Sequence, residues 1–171
     1  MDHLFAAPVI IEYLARLEAP RLTLVAPDAG GAERARAYAK RLDAELAVID
    51  KRRTDDGAAE VMNVIGDVEG RTCIIQDDIV DTAGTITKAA TALVDNGAAR
   101  VLACAVHGVF SGPAIERIER SPIDKMIVTN TIPQAKTIES CNKIVVLSVA
   151  RLLGQAMKSI HEETSVSSLF V

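Results

Sequence analysis

One short segment near the middle of the chain limits the possible folds more than any other part of the sequence. A short apolar run of strand length, residues 73–75, leads to two adjacent carboxylates, Asp77 and Asp78. A loop of small residues (81–85) follows, and residues 86–96 place apolar side chains on one face of a helix. A strand that passes through a small loop into a helix is typical of α/β proteins.

The loop between this strand and this helix has the composition of an anion-binding turn. Free backbone N–H groups at the start of a helix attract anions, and Gly84 allows an anion to approach the chain closely. The hydroxyl groups of Thr82 and Thr85 can donate to the same anion. Asp77 and Asp78 would repel a bare phosphate, so we expect them to accept hydrogen bonds from sugar hydroxyls or to hold a divalent cation. A sugar phosphate matches both parts of the segment.

The rest of the chain alternates strand-like runs with helical segments. Strands are predicted at residues 21–26, 45–49, 61–65, 100–106, 125–129 and 144–147, and helices at residues 2–17, 32–42, 113–120 (capped by Ser111) and 149–161. This order predicts a single α/β domain, residues 1–171, in three layers with a mostly parallel central sheet. In such sheets ligands bind beyond the carboxyl ends of the strands, and the polar loops fall at that edge.

The composition agrees with a buried parallel sheet and argues against several classes of function. Hydrophobic residues make up 49% of the 171 residues but only 3% are aromatic, so an aliphatic core is expected. The net charge of -4 gives no indication of nucleic-acid binding. With no run of membrane-spanning length and no recognisable signal peptide, a cytoplasmic protein without membrane contacts is expected. Cys73 and Cys104 lie in apolar runs that predict reduced core thiols.

A second polar loop, Asp28-Ala29-Gly30-Gly31, lies between a predicted strand and a predicted helix. Taken alone, it is either an ordinary tight turn or an anion site for pyrophosphate or the phosphates of a nucleotide, with Asp28 able to hold a bridging Mg²⁺. The presence of two such loops in one chain favours the anion site.

Three basic residues, Lys51 to Arg53, follow the strand predicted at residues 45–49. Such a run is usually a solvated surface, but this one stands at the carboxyl end of a strand, before a small polar segment (54–59) that we predict to be mobile and able to close over the site. Lys and Arg stabilise the charge of a phosphoryl group during transfer. His107, at the end of another strand, is predicted to be a hydrogen-bonded structural residue.

These motifs resemble those of the ribose-phosphate pyrophosphokinase family, which has the type I phosphoribosyltransferase fold. Residues 77–85 are similar to the family's ribose-5-phosphate loop, and residues 28–31 to its pyrophosphate loop. Narrower similarities lie in Asp-Lys-Arg-Arg (50–53), Glu-Val-Met-Asn (60–63), Gly-Asp-Val-Glu-Gly (66–70), Ser-Gly-Pro-Ala (111–114) and the tail (165–170). The resemblance covers nearly the whole chain, which looks like the C-terminal one of two similar domains without its N-terminal companion.

The resemblance implies a reaction and a set of site residues. The family transfers the diphosphoryl group of ATP to the C1 hydroxyl of ribose 5-phosphate, which gives phosphoribosyl pyrophosphate and AMP. By resemblance, the ribose hydroxyls are held by Asp77 and Asp78, and the 5-phosphate by Asp81, Thr82, Ala83, Gly84 and Thr85, which we name the sugar-phosphate loop. The pyrophosphate loop is Asp28, Ala29, Gly30 and Gly31, with Asp28 as a Mg²⁺ ligand, and Lys51 and Arg53 are the catalytic residues.

Two other functions are compatible with part of this pattern. One is a non-catalytic module that binds ribose 5-phosphate or phosphoribosyl pyrophosphate and regulates a partner, although such a module has little use for Lys51 and Arg53. The other is a phosphoribosyltransferase, which needs a base-recognition hood that we do not find in the sequence. The resemblance also implies a homo-oligomer, with no role for nucleic acid or membrane.

Overall fold

The computed structural model describes residues 4–17, 19–53, 60–134, 138 and 141–169. Its strands are β1 (Leu22–Ala26), β2 (Glu45–Arg53), β3 (Glu60–Ile65), β4 (Thr72–Val80), β5 (Arg100–Gly108), β6 (Ile123–Thr129) and β7 (Ile144–Leu147). Its α-helices are α1 (Ala7–Ala15), α2 (Ala32–Leu42), α3 (Gly84–Asp95), α4 (Ala114–Arg120) and α5 (Ala150–His161). Short 3₁₀ turns occupy Ala29–Gly31 and Ser167–Leu169.

The described strands form one sheet in the order β3-β2-β1-β4-β5-β6-β7. β1 pairs in parallel with both β2 and β4, and parallel pairing continues from β4 through β5 and β6 to β7. Among these strands β3 alone is antiparallel, and it pairs with β2. The predicted α/β fold with a mostly parallel central sheet is therefore confirmed.

Helices cover both faces of the sheet because the central strands bury side chains in both directions. Cys73 and Ile75 of β4 belong to a core cluster with Ile86 of α3 and Ile118 of α4. Ile74, between them, belongs to the opposite cluster, which includes side chains of α1 and α2. This alternation follows from the two-residue period of a strand. Both clusters are mainly aliphatic, as the composition predicts.

The cysteines are buried and free, which confirms the prediction of reduced core thiols. Burial raises the pKa of the Cys73 thiol to about 11. Burial, with the nearby charge of Asp77 as a smaller cause, raises the pKa of the Cys104 thiol to about 12. Both thiols therefore stay protonated and unreactive in the folded protein at neutral pH.

The central strands extend further than their apolar sequences predict. β4 continues to Val80, so Asp77 and Asp78 lie within the strand instead of following it. The cause is β5, whose residues His107 and Gly108 pair with the last residues of β4. Pairing with a neighbouring strand supplies backbone hydrogen bonds that continue after the apolar run has ended. For the same reason His107 lies inside β5 and not at its end.

Other element boundaries also differ from the prediction. β2 includes residues 51–53, because they pair with the antiparallel strand β3. α1 begins only at Ala7, with Pro8 in its first turn, and residues 2 and 3 of the predicted helix lie outside the described residues. α4 begins at Ala114 without a side-chain cap, so the prediction that Ser111 caps it is wrong. No helix in the described ranges is long and apolar enough to cross a membrane.

Two isoleucines of β4 provide a matched test of this core. Ile74 is 0% exposed and Ile79 is 48% exposed. We expect Ile74→Ala to lower the free energy of unfolding by about 3 kcal/mol, because it removes a fully buried side chain and leaves a cavity. Ile79→Ala is the control, with an expected loss below about 1 kcal/mol. Urea titration followed by circular dichroism measures both, and equal losses would contradict the assigned burial.

Candidate functional site

The order of the strands creates a crevice between β1 and β4. From β1 the chain crosses through α2 to β2 on one side, and from β4 it crosses through α3 to β5 on the other side. The two loops that follow β1 and β4 therefore diverge, and such a divergence is the usual position of a ligand site in an open α/β sheet. These loops are the pyrophosphate loop and the sugar-phosphate loop. The structure thus brings the two predicted loops to neighbouring strand ends.

The pyrophosphate loop is a single turn held by its own aspartate. Asp28 is extended, and its Oδ1 accepts a hydrogen bond from the N–H of Gly31 at 3.0 Å. The 3₁₀ turn that follows leads directly into α2. A Cβ atom on Gly30 would lie 3.3 Å from Asp28 Oδ1, so a larger residue there would press on the carboxylate. The turn therefore keeps the carboxylate at the mouth of the crevice.

Lys51 joins the pyrophosphate loop to the adjacent strand β2. Its Nζ atom lies 3.9 Å from Asp28 Oδ2, and its side chain is only 24% exposed. Two predicted site residues from different segments of the chain are therefore neighbours. Arg53 is the last residue of β2, but its side chain lies outside the described residues, as does the segment 54–59 that was predicted to close over the site.

The acidic pair lies on β4, and Asp78 is the member that reaches α2. The N–H of Asp78 donates to Asp77 Oδ1 at 2.8 Å, so Asp77 turns back on its own strand. Asp78 Oδ2 lies 3.5 Å from Nη2 of Arg34, in the first half of α2. No pattern in the sequence predicts this contact of Arg34. Its contact connects the helix after the pyrophosphate loop with the strand before the sugar-phosphate loop.

The pKa values of the two carboxyl groups are shifted in opposite directions. Burial, the hydrogen bond with Asp78 and the charges of Asp78 and Asp28 together raise the pKa of Asp77 to about 6. For Asp78, partial burial acts upward, but the hydrogen bond from Asp77 and the charge of Arg34 outweigh it and lower the pKa. Asp78 is therefore the permanent anion of the pair, and Asp77 is ionised at pH 7 but becomes protonated in mild acid.

Two carbonyl groups of the sugar-phosphate loop accept hydrogen bonds from the segment after β5 and from α4. The carbonyl of Asp81 accepts from the N–H of Ser111 at 3.0 Å, and the carbonyl of Thr82 accepts from Nη1 of Arg117 at 2.9 Å. Ala83 is left-handed (φ 58°), and its carbonyl accepts from the N–H of Thr87 at 3.1 Å. The amides of residues 82–85 have no protein partner within the described part of the chain.

Ser111 and Arg117 are contacts that sequence reasoning missed. The Ser111 hydroxyl donates to a carboxylate oxygen of Asp81, which holds that acid against the segment after β5. Arg117 reaches the loop from α4, where its sequence spacing predicts only an exposed surface residue. Both lie about 30 residues or more from the loop they contact, at separations of 30 (Ser111–Asp81) and 35 (Arg117–Thr82). No local pattern indicates such a pairing.

Of the other loop residues, Ala83 is buried, while Thr82 and Thr85 are exposed and leave their hydroxyls available to a ligand. Gly84 opens α3, and a Cβ atom there would lie 3.3 Å from Nη1 of Arg117. The guanidinium group of Arg117 therefore occupies the space beside Gly84, which favours glycine at this position.

The donor groups at the crevice fit a Mg²⁺ ion that is shared with phosphates and not enclosed by the protein. No group of three or more His, Cys, Asp or Glu side chains in the described residues could hold a metal ion. Mg²⁺ commonly binds through one or two carboxylates together with waters and the phosphates of a substrate. Asp28, two residues after the end of β1, has a carboxylate of this kind.

One ring nitrogen of His107 is engaged in a hydrogen bond. Its Nδ1 lies 2.8 Å from the Oγ1 atom of Thr131. That hydroxyl is also 3.3 Å from the carbonyl of Val106. The prediction of a hydrogen-bonded structural histidine agrees with these contacts.

The sequence is similar to ribose-phosphate pyrophosphokinases from several bacteria. It is 52% identical to the enzyme of Bordetella pertussis over 170 residues, which are 99% of this chain and 55% of that protein. It is 51% identical to the enzyme of Aquifex aeolicus over 173 residues, with 99% of this chain and 54% of that protein covered. The chain therefore spans about half the length of the curated relatives it matches.

The fold is also similar to that of solved structures. The crystal structure of phosphoribosylpyrophosphate synthetase from Mycobacterium smegmatis superposes with a TM-score of 0.86 at 34% identity, covering 95% of this chain and 52% of that one. Adenine phosphoribosyl transferase from Trypanosoma brucei superposes with a TM-score of 0.56 at 17% identity, over 83% of this chain and 62% of that one. The second likeness concerns the fold alone.

A family model gives the assignment. The model of the phosphoribosyl synthetase-associated domain matches residues 58–171. This match begins before β3 and includes the acidic pair, the sugar-phosphate loop and Arg117. The chain belongs to the phosphoribosyl synthetase-associated domain family.

Proposed function

We propose that this chain provides the ribose-5-phosphate site and part of the catalytic centre of a ribose-phosphate pyrophosphokinase. The reaction moves the diphosphoryl group of ATP to the C1 hydroxyl of ribose 5-phosphate. The observation that supports it most is the geometry of the crevice, where an acidic pair lies between two loops that suit phosphate groups. The identities near 50% to named pyrophosphokinases favour this proposal over a phosphoribosyltransferase or a purely regulatory binder.

The acidic pair and the sugar-phosphate loop bind the acceptor in this proposal. Asp77 and Asp78 accept hydrogen bonds from the ribose hydroxyls. The unpaired amides of residues 82–85 and the hydroxyls of Thr82 and Thr85 donate to the 5-phosphate at the positive end of α3. Together these contacts fix the sugar at both ends, which orients its C1 hydroxyl for transfer.

The pyrophosphate loop and the basic residues bind the group in transfer. Mg²⁺, held by Asp28 and by phosphate oxygens, would supply positive charge to the diphosphoryl group. Lys51, next to Asp28, stabilises the charge that develops on the transferred group, and Arg53 serves the same purpose. No protein nucleophile is needed, because alignment and charge neutralisation carry this class of reaction.

An assay for AMP release tests the proposal directly. The chain is incubated with ATP, ribose 5-phosphate and Mg²⁺, alone and mixed with a full-length homologous pyrophosphokinase, and ribose 5-phosphate binding is measured by calorimetry. AMP formation that depends on ribose 5-phosphate is the expected result. Binding of neither pentose phosphate nor phosphoribosyl pyrophosphate at millimolar concentrations would exclude the proposal.

Replacement of Lys51 should separate catalysis from binding. We expect Lys51→Ala to lower turnover by about 100-fold or more, since it removes a preorganised charge from the transferred group. Ribose 5-phosphate affinity should change by less than about threefold, because Lys51 is placed with the pyrophosphate loop. Lys40→Ala, an exposed lysine near the end of α2, is the control. Equal losses in turnover and affinity would contradict the role assigned to Lys51.

Replacement of Asp77 should show opposite effects on stability and binding. The pKa of Asp77 rises from its ordinary value of 3.8 to about 6 on folding, so its charge costs stability above pH 6. This cost disappears as the pH falls from 6 towards 4. We therefore expect Asp77→Asn to raise the melting temperature at pH 8 and to leave it nearly unchanged at pH 4. Its affinity for ribose 5-phosphate at pH 8 should fall by about tenfold, since a charged acceptor is lost.

Thermal unfolding and calorimetry at several pH values measure both effects. The phosphate of the ligand also titrates near pH 6, so the pH dependence of Asp77→Asn provides the baseline to subtract from the wild type. Glu119→Gln, at an exposed position of α4, controls for the change in net charge. A melting temperature that falls at pH 8 in Asp77→Asn would contradict the unfavourable charge.

A further inference from the structure

The contacts of the sugar-phosphate loop give Arg117 a task that its exposed position on α4 does not suggest. Among the carbonyl groups of residues 80–83, those of Val80, Asp81 and Ala83 accept hydrogen bonds from backbone N–H groups. The carbonyl of Thr82 differs, because it accepts from a side chain, Nη1 of Arg117, at 2.9 Å. The peptide between Thr82 and Ala83 therefore depends on one residue of another helix for its orientation.

The hydrogen bond to the Thr82 carbonyl also sets the direction of the Ala83 N–H group, which belongs to the same peptide. A trans peptide is planar, so its C=O and N–H bonds point in opposite directions. When Arg117 holds the carbonyl of Thr82 towards α4, the N–H of Ala83 points away from α4. The same argument applies to the N–H of Thr82, since Ser111 holds the carbonyl of Asp81. Each of these amides therefore points away from the group that holds the carbonyl of its own peptide, and the start of α3 adds further free N–H groups.

We infer that Arg117 is a positioning residue that fixes the Thr82–Ala83 peptide so that its N–H group faces a phosphate. This inference rests on the proposed function, and it specifies how the sugar-phosphate loop is kept ready for the anion. Without the guanidinium group, rotation of this peptide brings a carbonyl oxygen towards the phosphate. This rotation replaces an N–H donor with a carbonyl oxygen, which repels the phosphate.

The position of the guanidinium charge supports the same inference. Nη1 of Arg117 would be 3.3 Å from a Cβ atom on Gly84, the first residue of α3. A cation at the positive end of a helix is unfavourable, and an anion at that end is favourable. The guanidinium charge is therefore unfavourable at this end of α3 in the free protein, and a bound phosphate offsets it.

Phosphate titration with amide detection tests the inference. The variants are Arg117→Met, which removes charge and donors, and Arg117→Lys, which keeps the charge and one donor group. Arg120→Met is the matched control, because Arg120 lies on the same helix and pairs with Glu116 instead of the loop. Inorganic phosphate and ribose 5-phosphate are titrated separately into each ¹⁵N-labelled protein, and melting temperatures are measured without ligand.

We expect Arg117→Met to lower the affinity for both ligands by about tenfold and to abolish the phosphate-induced shift of the Ala83 amide signal. Arg117→Lys should keep affinity within about threefold of wild type, and Arg120→Met should behave as wild type. The melting temperature of free Arg117→Met should change little, because the lost hydrogen bond and the removed charge at the start of α3 act in opposite directions. A fall in melting temperature with unchanged phosphate affinity would show a structural role and overturn the inference.

The two proposals fail in different ways. If the wild-type protein binds phosphate through the Ala83 and Gly84 amides but does not bind ribose 5-phosphate, the proposed function is wrong and the role of Arg117 is judged with phosphate alone. If ribose 5-phosphate binds equally well to wild type and Arg117→Met, the inference is wrong and the proposed function stands. Phosphate binding that leaves these amide signals unshifted in wild type also overturns the inference.

Discussion

The parallel pairing of β1 with β4 is the constraint on which the rest of the structure depends. From this central pair the chain proceeds to β2 in one direction and to β5 in the other, so the loops after the two strands must separate. The separation opens a crevice at the edge where backbone groups and polar side chains are left without strand partners. Asp28, Asp78 and Lys51 lie at this edge because their strands end there, and not because any of them is close to the others in sequence.

The charges around the crevice have a cost in stability. Asp77 and Asp78 lie side by side, and burial makes the ionised form of Asp77 unfavourable. Arg34 and Lys51 bring positive charge to Asp78 and Asp28, but at distances of 3.5 and 3.9 Å they compensate only in part. Groups that are kept ready for a ligand are often unfavourable in the free protein, and stability is then supplied by the core on either side of the sheet.

Much of the fold and a good part of the candidate site could be predicted from the sequence. The apolar run at residues 73–75 and the helical spacing after it locate β4 and α3, and the carboxyl-edge rule then brings the two loops together. The extension of β4 through Asp77 could not be predicted, because it depends on pairing with β5. An apolar pattern reports burial of side chains, whereas a strand ends where its neighbour stops offering hydrogen bonds.

The contacts of Arg34 and Arg117 could not be predicted from the sequence for a related reason. Each joins two elements whose separation in sequence is set by intervening helices and strands, and their distance depends on the register of the sheet. On its own helix each arginine is an ordinary exposed cation. The interpretation of the loop as an anion site was possible because amide groups at a helix start are a local property, whereas the residues that orient those amides are not.

The positions of two thiols allow local unfolding of the two helical layers to be followed separately. Cys73 packs with the layer formed by α3 and α4, and Cys104 packs with the layer formed by α1 and α2. Both are shielded and protonated, so an alkylating reagent can modify each one only after its own layer detaches. The ratio of their labelling rates therefore reports which helical layer leaves the sheet first, with no probe added to the chain.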